Sequence, residues 1–155
     1  MTVAPDVPTL QVGDPAEAID ALRSSGLRIS TARRLVIEAL FDAEGPVTAA
    51  QLAHLLSLEE SSVYRNLEVL EQHGLARHVH LGHGPGLYVL SGREDGEFLY
   101  CEGCGQVTVL EPHELDPIRT EIRDRFGLTA RFAHFPIVGL CSGCAATGAT
   151  HHHAH

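Results

Sequence analysis

A chain of 155 residues, 44% of them hydrophobic, is long enough to bury one ordinary core or two small ones joined by a hinge. Its formal net charge of −9, with arginine as the only strong base and more acid than base in both halves, excludes a protein that coats nucleic acid by bulk positive charge. No apolar run approaches the ~20 residues of a membrane span and no secretory pattern opens the sequence, so a cytoplasmic protein without membrane partners is expected.

In chain order, residues 1–14 lack periodicity and read as a disordered arm. Asp14-Pro15 is a cap followed by a first-turn proline, and Ile19 and Leu22 then form one apolar stripe that Gly26 ends. Ser30 or Thr31 caps a second helix with Leu35, Ile37, Leu40 and Phe41 on its apolar face, broken at Glu44-Gly45-Pro46. Thr48 caps a third, carrying Leu52, Leu55 and Leu56. After Ser61, Val63, Leu67 and Leu70 recur at i, i+4 and i+7, which turns Ser62, Tyr64, Arg65 and Asn66 off the core stripe until Gly74 ends the helix. The period then changes. Residues 77–81 alternate, 82–86 form a glycine-rich turn and 87–90 a second strand. Helices that end in a helix-turn-helix pair and a hairpin describe a winged helix over residues 15–90, a fold that places one helix in the DNA major groove.

Residues 91–97, glycine-containing and acidic, read as a hinge. A second unit over 98–145 contains a strand at 107–110, a helix at 116–126 stopped by Gly127, and a strand at 128–138. The fold class is therefore α+β, with a small α/β unit after the winged helix. Residues 146–155 form a flexible, histidine-containing tail with no structural role.

Two C-x-x-C pairs, Cys101/Cys104 and Cys141/Cys144, bracket the second unit. Each such turn presents two thiolates from one chain reversal, so two of them complete a closed tetrahedral zinc site. The 36 residues between the pairs exceed a zinc-ribbon spacing, so the ion would clip together elements distant in sequence. Buried free thiols and a redox pair are the other readings of the same residues. His78 and His80 lie two apart in a strand and so share a face, where they form either a chelating pair or an ordinary solvated surface.

The run Ser61-Ser62-Val63-Tyr64-Arg65-Asn66-Leu67-Glu68-Val69-Leu70, the following Gly74-Leu75, the hairpin and the paired C-x-x-C motifs together resemble the ferric uptake regulator family of bacterial repressors, from about Ala18 to Cys144. The resemblance implies a metal-dependent transcriptional repressor of metal-homeostasis genes that binds double-stranded operator DNA as a homodimer. It also implies a C-terminal dimerisation domain with structural Zn2+ on the four cysteines, and no enzymatic activity or small organic substrate. It places Tyr64 and Arg65 where the recognition helix meets DNA, with Ser61, Ser62, Asn66, Arg33 and Arg34 as further contacts. Many members carry a histidine-rich run before the first C-x-x-C, where this chain has Glu94-Asp95-Gly96-Glu97-Phe98-Leu99-Tyr100 and no histidine. The remaining regulatory ligands are His78, His80, Glu97 and His134, a set that looks like the junction site of the nickel-responsive branch, with His83 and His113 as substitutes. Several imidazoles with at most one carboxylate suit Ni2+ or Zn2+ better than Fe2+. An iron-responsive or peroxide-sensing repressor of the same family is the near alternative. From another class, a thiol-disulfide oxidoreductase would need a C-x-x-C at a helix N-terminus, whereas both pairs here are flanked by glycine turns.

Overall fold

The computed structural model describes residues 7–79, 86–93, 96–132 and 136–148. The chain divides into two compact units, Met1–Glu94 and Asp95–His155.

The first unit starts at Asp14, whose side chain accepts from Glu17 N at 2.8 Å and caps α1 (Pro15–Ser24). Ser30 caps α2 (Thr31–Asp42) by accepting from Arg33 N at 3.1 Å. A two-residue strand that sequence periodicity does not reveal, β1 (Val47–Thr48), leads into α3 (Ala49–Leu56), where Thr48 and Gln51 form a reciprocal capping box. Ser57 takes a left-handed φ of 52° and closes α3. The helix expected after Ser61, α4 (Glu60–Gln72), begins one residue before it and has no side-chain cap. Strands β2 (Ala76–Val79) and β3 (Leu87–Leu90) pair antiparallel with His78 opposite Tyr88, and β3 also pairs with β1. Residues 80–85, which hold His80, His83 and most of the turn expected at 82–86, lie outside the described residues.

These elements form a winged helix-turn-helix with α3 and α4 as the central pair. The core gathers Leu22, Ile37, Leu52, Val63, Leu67 and Leu70, all essentially inaccessible. Two expected core positions differ. Val36, not Leu35, is buried in α2, and Leu55 is 70% exposed on α3.

The arm expected over residues 1–14 packs from its first described residue. Leu10 N donates to the Gly74 carbonyl at 2.9 Å, the Arg77 guanidinium donates to the Val7 carbonyl, and Leu10 and Val12 pack on the core. Gly74 has φ +79°, and a Cβ there would lie 2.1 Å from the Pro8 carbonyl oxygen. Gly74→Ala should therefore lower stability by about 1–3 kcal/mol, through backbone strain and displacement of the strap. Urea unfolding of the two proteins measures it, and an unchanged midpoint would mean that the strap does not hold this corner.

The second unit contains β4 (Phe98–Cys101), β5 (Val107–Val109), α5 (Asp116–Phe126), β6 (Ile137–Gly139) and α6 (Ser142–Thr147). Its sheet runs β5-β4-β6, with β4 antiparallel to β5 and parallel to β6. As expected, Gly127 stops α5 in a left-handed turn, φ 67°. Sequence pattern misses β4 as a strand and α6 altogether, and α6 runs into the segment read as tail. The long strand expected at 128–138 is regular only at Ile137–Gly139, while 133–135, including His134, lie outside the described residues. Buried apolar residues among those described here are few: Phe98, Tyr100, Cys101, Leu115 and Pro136. Large apolar side chains stay exposed instead, among them Ile118, Phe126, Leu128, Val138 and Leu140. No helix among the described residues is long and apolar enough to cross a membrane.

Candidate metal centre and recognition helix

Backbone pairing brings the two C-x-x-C turns together. Cys101 ends β4 opposite Gly139 of β6, and Glu102 N donates to the Gly139 carbonyl at 2.8 Å, so the turn after β4 sits beside the segment that leads into α6. Cys101 N donates to Gln106 O and Gly105 N to Cys101 O, both at 2.9 Å, closing the first knuckle. Cys141 occupies the N-cap of α6 and Cys144 its first turn. The second pair therefore does stand at a helix start, contrary to the expectation of glycine turns alone.

All four sulfur atoms lie within 4.8 Å of one another and form no disulfide. Tetrahedral thiolates around zinc at ~2.3 Å sit about 3.8 Å apart, so a small inward movement completes the shell. Gly103 has no room for a side chain, since a Cβ there would meet Cys144 Sγ at 2.7 Å and Cys144 Cβ at 2.8 Å. The electrostatics also suit a cation. Backbone N–H groups of Cys141, with its N at 3.2 Å from Cys101 Sγ, and of Cys104 lower Cys101 to about 6. Cys144 is pushed up to about 12, chiefly by hydrogen bonds to Cys141 and Cys101 that hold its proton. Four thiols so packed cannot all ionise unaided, and a divalent ion at their centre offsets that repulsion. Convergence of both pairs on one cluster is a metal-site arrangement and leaves neither pair as an isolated redox dithiol. It is the only group of three or more metal-ligating side chains among the described residues.

On α4, Arg65 and Ser61 are exposed, while Ser62 and Tyr64 are half-buried. Asn66, expected to face outward with them, is instead 7% exposed. Its Oδ1 accepts from Arg33 Nε at 3.0 Å and its Nδ2 donates to Ser62 O at 2.9 Å. Arg33 also donates to the Arg28 carbonyl at 2.6 Å. Both residues assigned to DNA contact thus tie α2 to α4, whereas Arg34 remains exposed. The opposite flank of α4 meets the wing, where the Tyr64 ring stands edge-on to Tyr88, centroids 6.4 Å apart. Burial, then Glu71, Tyr64 and Glu68, raise the Tyr88 hydroxyl above its ordinary value.

Of the residues expected to bind the regulatory metal, His78 is half-buried and its Nδ1 lies 2.7 and 2.8 Å from the two carboxylate oxygens of Glu71. Glu71 is 8% exposed and escapes the pattern reading. The signal was present: Glu71 falls four residues after Leu67, on the edge of the core stripe, where an acid needs a partner. Glu97 forms an ion pair with Arg119, which also donates to Asp116 at 2.6 Å. Its second oxygen, Oε2, is buried without a hydrogen-bond partner. His113, the substitute ligand, lies 2.9 Å from Asp116 and is largely exposed.

The ferric uptake regulator family model matches residues 24–133. The ferric uptake regulation protein of Neisseria meningitidis is 30% identical over 138 residues, 84% of this chain and 94% of that protein. The peroxide operon regulator of Bacillus subtilis is 24% identical over 134 residues, 83% and 92% of the two chains. Among solved structures, the Helicobacter pylori ferric uptake regulator, described as having three functional metal binding sites, matches with TM-score 0.59 at 18% identity, over 84% of this chain and 91% of that one. The Vibrio cholerae ferric uptake regulator matches with TM-score 0.57 at 24% identity, over 80% and 99%.

Proposed function

We propose that this chain, which belongs to the ferric uptake regulator family of metal-dependent transcriptional regulators, is a repressor that binds operator DNA as a homodimer when Ni2+ or Zn2+ occupies a regulatory site. The observation that carries the reading is the placement of α4. Its flanks are tied to α2 by Asn66 and to the wing by Tyr64 and Glu71, and its outer face presents Arg65 and Ser61. Arg65 is the guanidinium suited to a phosphate or a guanine edge. Exposed Phe126, Leu128 and Val138 make the second unit the self-association surface, because monomers rarely leave so many large apolar groups in water.

The four cysteines hold a structural Zn2+, and His78, His80, His134 and Glu97 form the regulatory set. Imidazole-rich ligands favour Ni2+ or Zn2+ over Fe2+, and the buried, unpartnered Oε2 of Glu97 is an atom that a cation would satisfy. The peroxide-sensing alternative draws on the Bacillus subtilis relative.

The test is operator affinity against a panel of free divalent metals after chelation, at one salt concentration. Ni2+ or Zn2+ should restore binding at the lowest free concentration. Restoration by Fe2+ alone, with loss after peroxide, would replace this reading by the peroxide-sensing one. In the same assay Arg65→Ala should weaken operator binding by about 1–3 kcal/mol, roughly five- to 150-fold. An undiminished affinity removes Arg65 from the interface.

A further inference from the structure

We propose that Asn66 is a positioning residue for DNA binding: its side-chain amide holds the Arg33 guanidinium against the first turns of α4 so that Nη2 is presented to a phosphate of the duplex. The inference rests on the reading of α4 as the helix that enters the major groove, and names what prepares the backbone contact beside it.

Arg33 is fixed at three points. Its backbone N donates to Ser30 Oγ at 3.1 Å, its Nε to Asn66 Oδ1 at 3.0 Å and its Nη1 to the Arg28 carbonyl at 2.6 Å. The last guanidinium nitrogen, Nη2, has no partner among the described residues and is not among the buried atoms that lack one, so it reaches solvent with its direction already set. Asn66 is satisfied at both ends of its amide, Oδ1 by Arg33 and Nδ2 by the Ser62 carbonyl at 2.9 Å. A guanidinium only donates and a carbonyl only accepts, so these two partners fix which end of the amide faces which. At 7% exposure an amide is costly to bury unless paired, and an apolar residue would fill the space between α2 and α4 as well without holding Arg33.

The charge of the surface gives that nitrogen a use. The chain carries a net charge of −9, and the exposed residues of α4 include Glu60 and Glu68 as well as Arg65. A duplex phosphate approaching this helix meets repulsion, which a cation fixed at its flank offsets. Backbone contacts set the register of a helix in the groove without reading bases. A free arginine loses rotamer freedom when it takes a phosphate, whereas Arg33 has already lost it on folding, so the contact carries little further entropic penalty. One amide on α4 and one guanidinium on α2 thus hold the phosphate donor rigid with respect to the recognition helix itself.

The test is affinity against salt for the full chain, saturated with the divalent ion that gives wild type its highest affinity. The probes are a duplex that wild type selects from a random-sequence pool and a scrambled duplex of the same length. Arg33→Ala should weaken binding to both by the same factor and reduce the slope of log affinity against log salt by about 0.9, the equivalent of one phosphate contact. An unchanged slope overturns the proposal. Asn66→Leu keeps the charge and releases the guanidinium. It should weaken binding about two- to tenfold, and in an Arg33→Ala background change nothing further. An equal loss in both backgrounds overturns the positioning role, because Asn66 would then act only by supporting the fold. Circular dichroism verifies that Asn66→Leu is folded, and Arg33→Lys repeats the question with the buried amide untouched. A lysine keeps the charge but cannot hold Asn66 and Arg28 while reaching a phosphate, so its affinity should fall by a similar factor, and wild-type affinity overturns the proposal. Arg65→Ala separates the levels. Undiminished binding in both Arg65→Ala and Arg33→Ala fails the reading of α4 and this proposal together, whereas loss in Arg65→Ala with none in Arg33→Ala fails this proposal alone.

Discussion

Cys101→Ser should cost the chain its structural zinc and unfold the C-terminal unit while the winged helix stays intact. Among the described residues that unit buries only Phe98, Tyr100, Cys101, Leu115 and Pro136 as apolar groups, and α5 buries none. Each fully buried large side chain contributes roughly 1.5–3 kcal/mol, against about 1–2 kcal/mol of backbone entropy for every residue ordered. So small a core cannot hold three strands and two helices. Structural zinc in small domains contributes on the order of 10–16 kcal/mol of apparent binding free energy, which is folding free energy where no site exists in the unfolded chain. Self-association of the exposed apolar surface, as proposed, would add to it. Cys101 is the most consequential of the four, being at once a proposed ligand, the last residue of the central strand and the acceptor of the Cys141 N–H. Zinc content should fall from one ion per chain to below a tenth, with amide protection over 96–148 lost and that of α2 to α4 retained. One zinc per chain and full protection in the variant would falsify the staple.

Simultaneous His80→Ala and His134→Ala should abolish metal-dependent operator binding and leave the cysteine-bound zinc in place. Both residues lie outside the described residues, and the expectation rests on the regulatory set read from the sequence. Moving a two-state protein from 1:99 to 99:1 requires about 10⁴-fold tighter metal binding to the DNA-competent state, about 5.5 kcal/mol. A site stripped of two imidazoles has too few ligands to supply that difference. Operator affinity of the variant should therefore be the same with and without saturating Ni2+ or Zn2+, near the metal-free level of wild type. If the metal still raises its affinity to the wild-type level, the site is elsewhere. The rise in zinc taken by a colorimetric chelator on thiol modification separates the two sites, since only cysteine-bound ion is released by that step.

Much of the fold was legible because it is local. Caps at Asp14, Ser30 and Thr48, the stops at Gly74 and Gly127, and the i, i+4, i+7 stripe of α4 each act over one or two turns, and the structure has them all. What escaped is made by distant partners. Strand β1 is two residues long and exists because β3 pairs with it, and α6 is six residues whose sequence, Ser-Gly-Cys-Ala-Ala-Thr, carries no stripe. Asn66 lies off the apolar stripe, which predicts an outward side chain. Arg33, 33 residues earlier, buries it from the side. Glu71 is the converse case, a charged residue at a core-edge position that gains meaning only when His78 is folded against it. The cysteines were legible as a set from spacing, but the close fit of Gly103 against Cys144 required the fold.

The pairing of β4 with β6 also sets an order of events in time. Cys101 and Cys141 are 40 residues apart, and β6 lies parallel to β4, so the sulfur cluster cannot close until nearly the whole described chain has left the ribosome. The winged helix, whose contacts end by residue 94, is complete well before then and folds first, as N-terminal domains do during synthesis. A newborn chain therefore passes through an interval in which its winged helix is finished and its cysteine cluster is not. With the proposed zinc on that cluster, maturation would end with the capture of an ion, and a cell short of zinc would accumulate half-made chains.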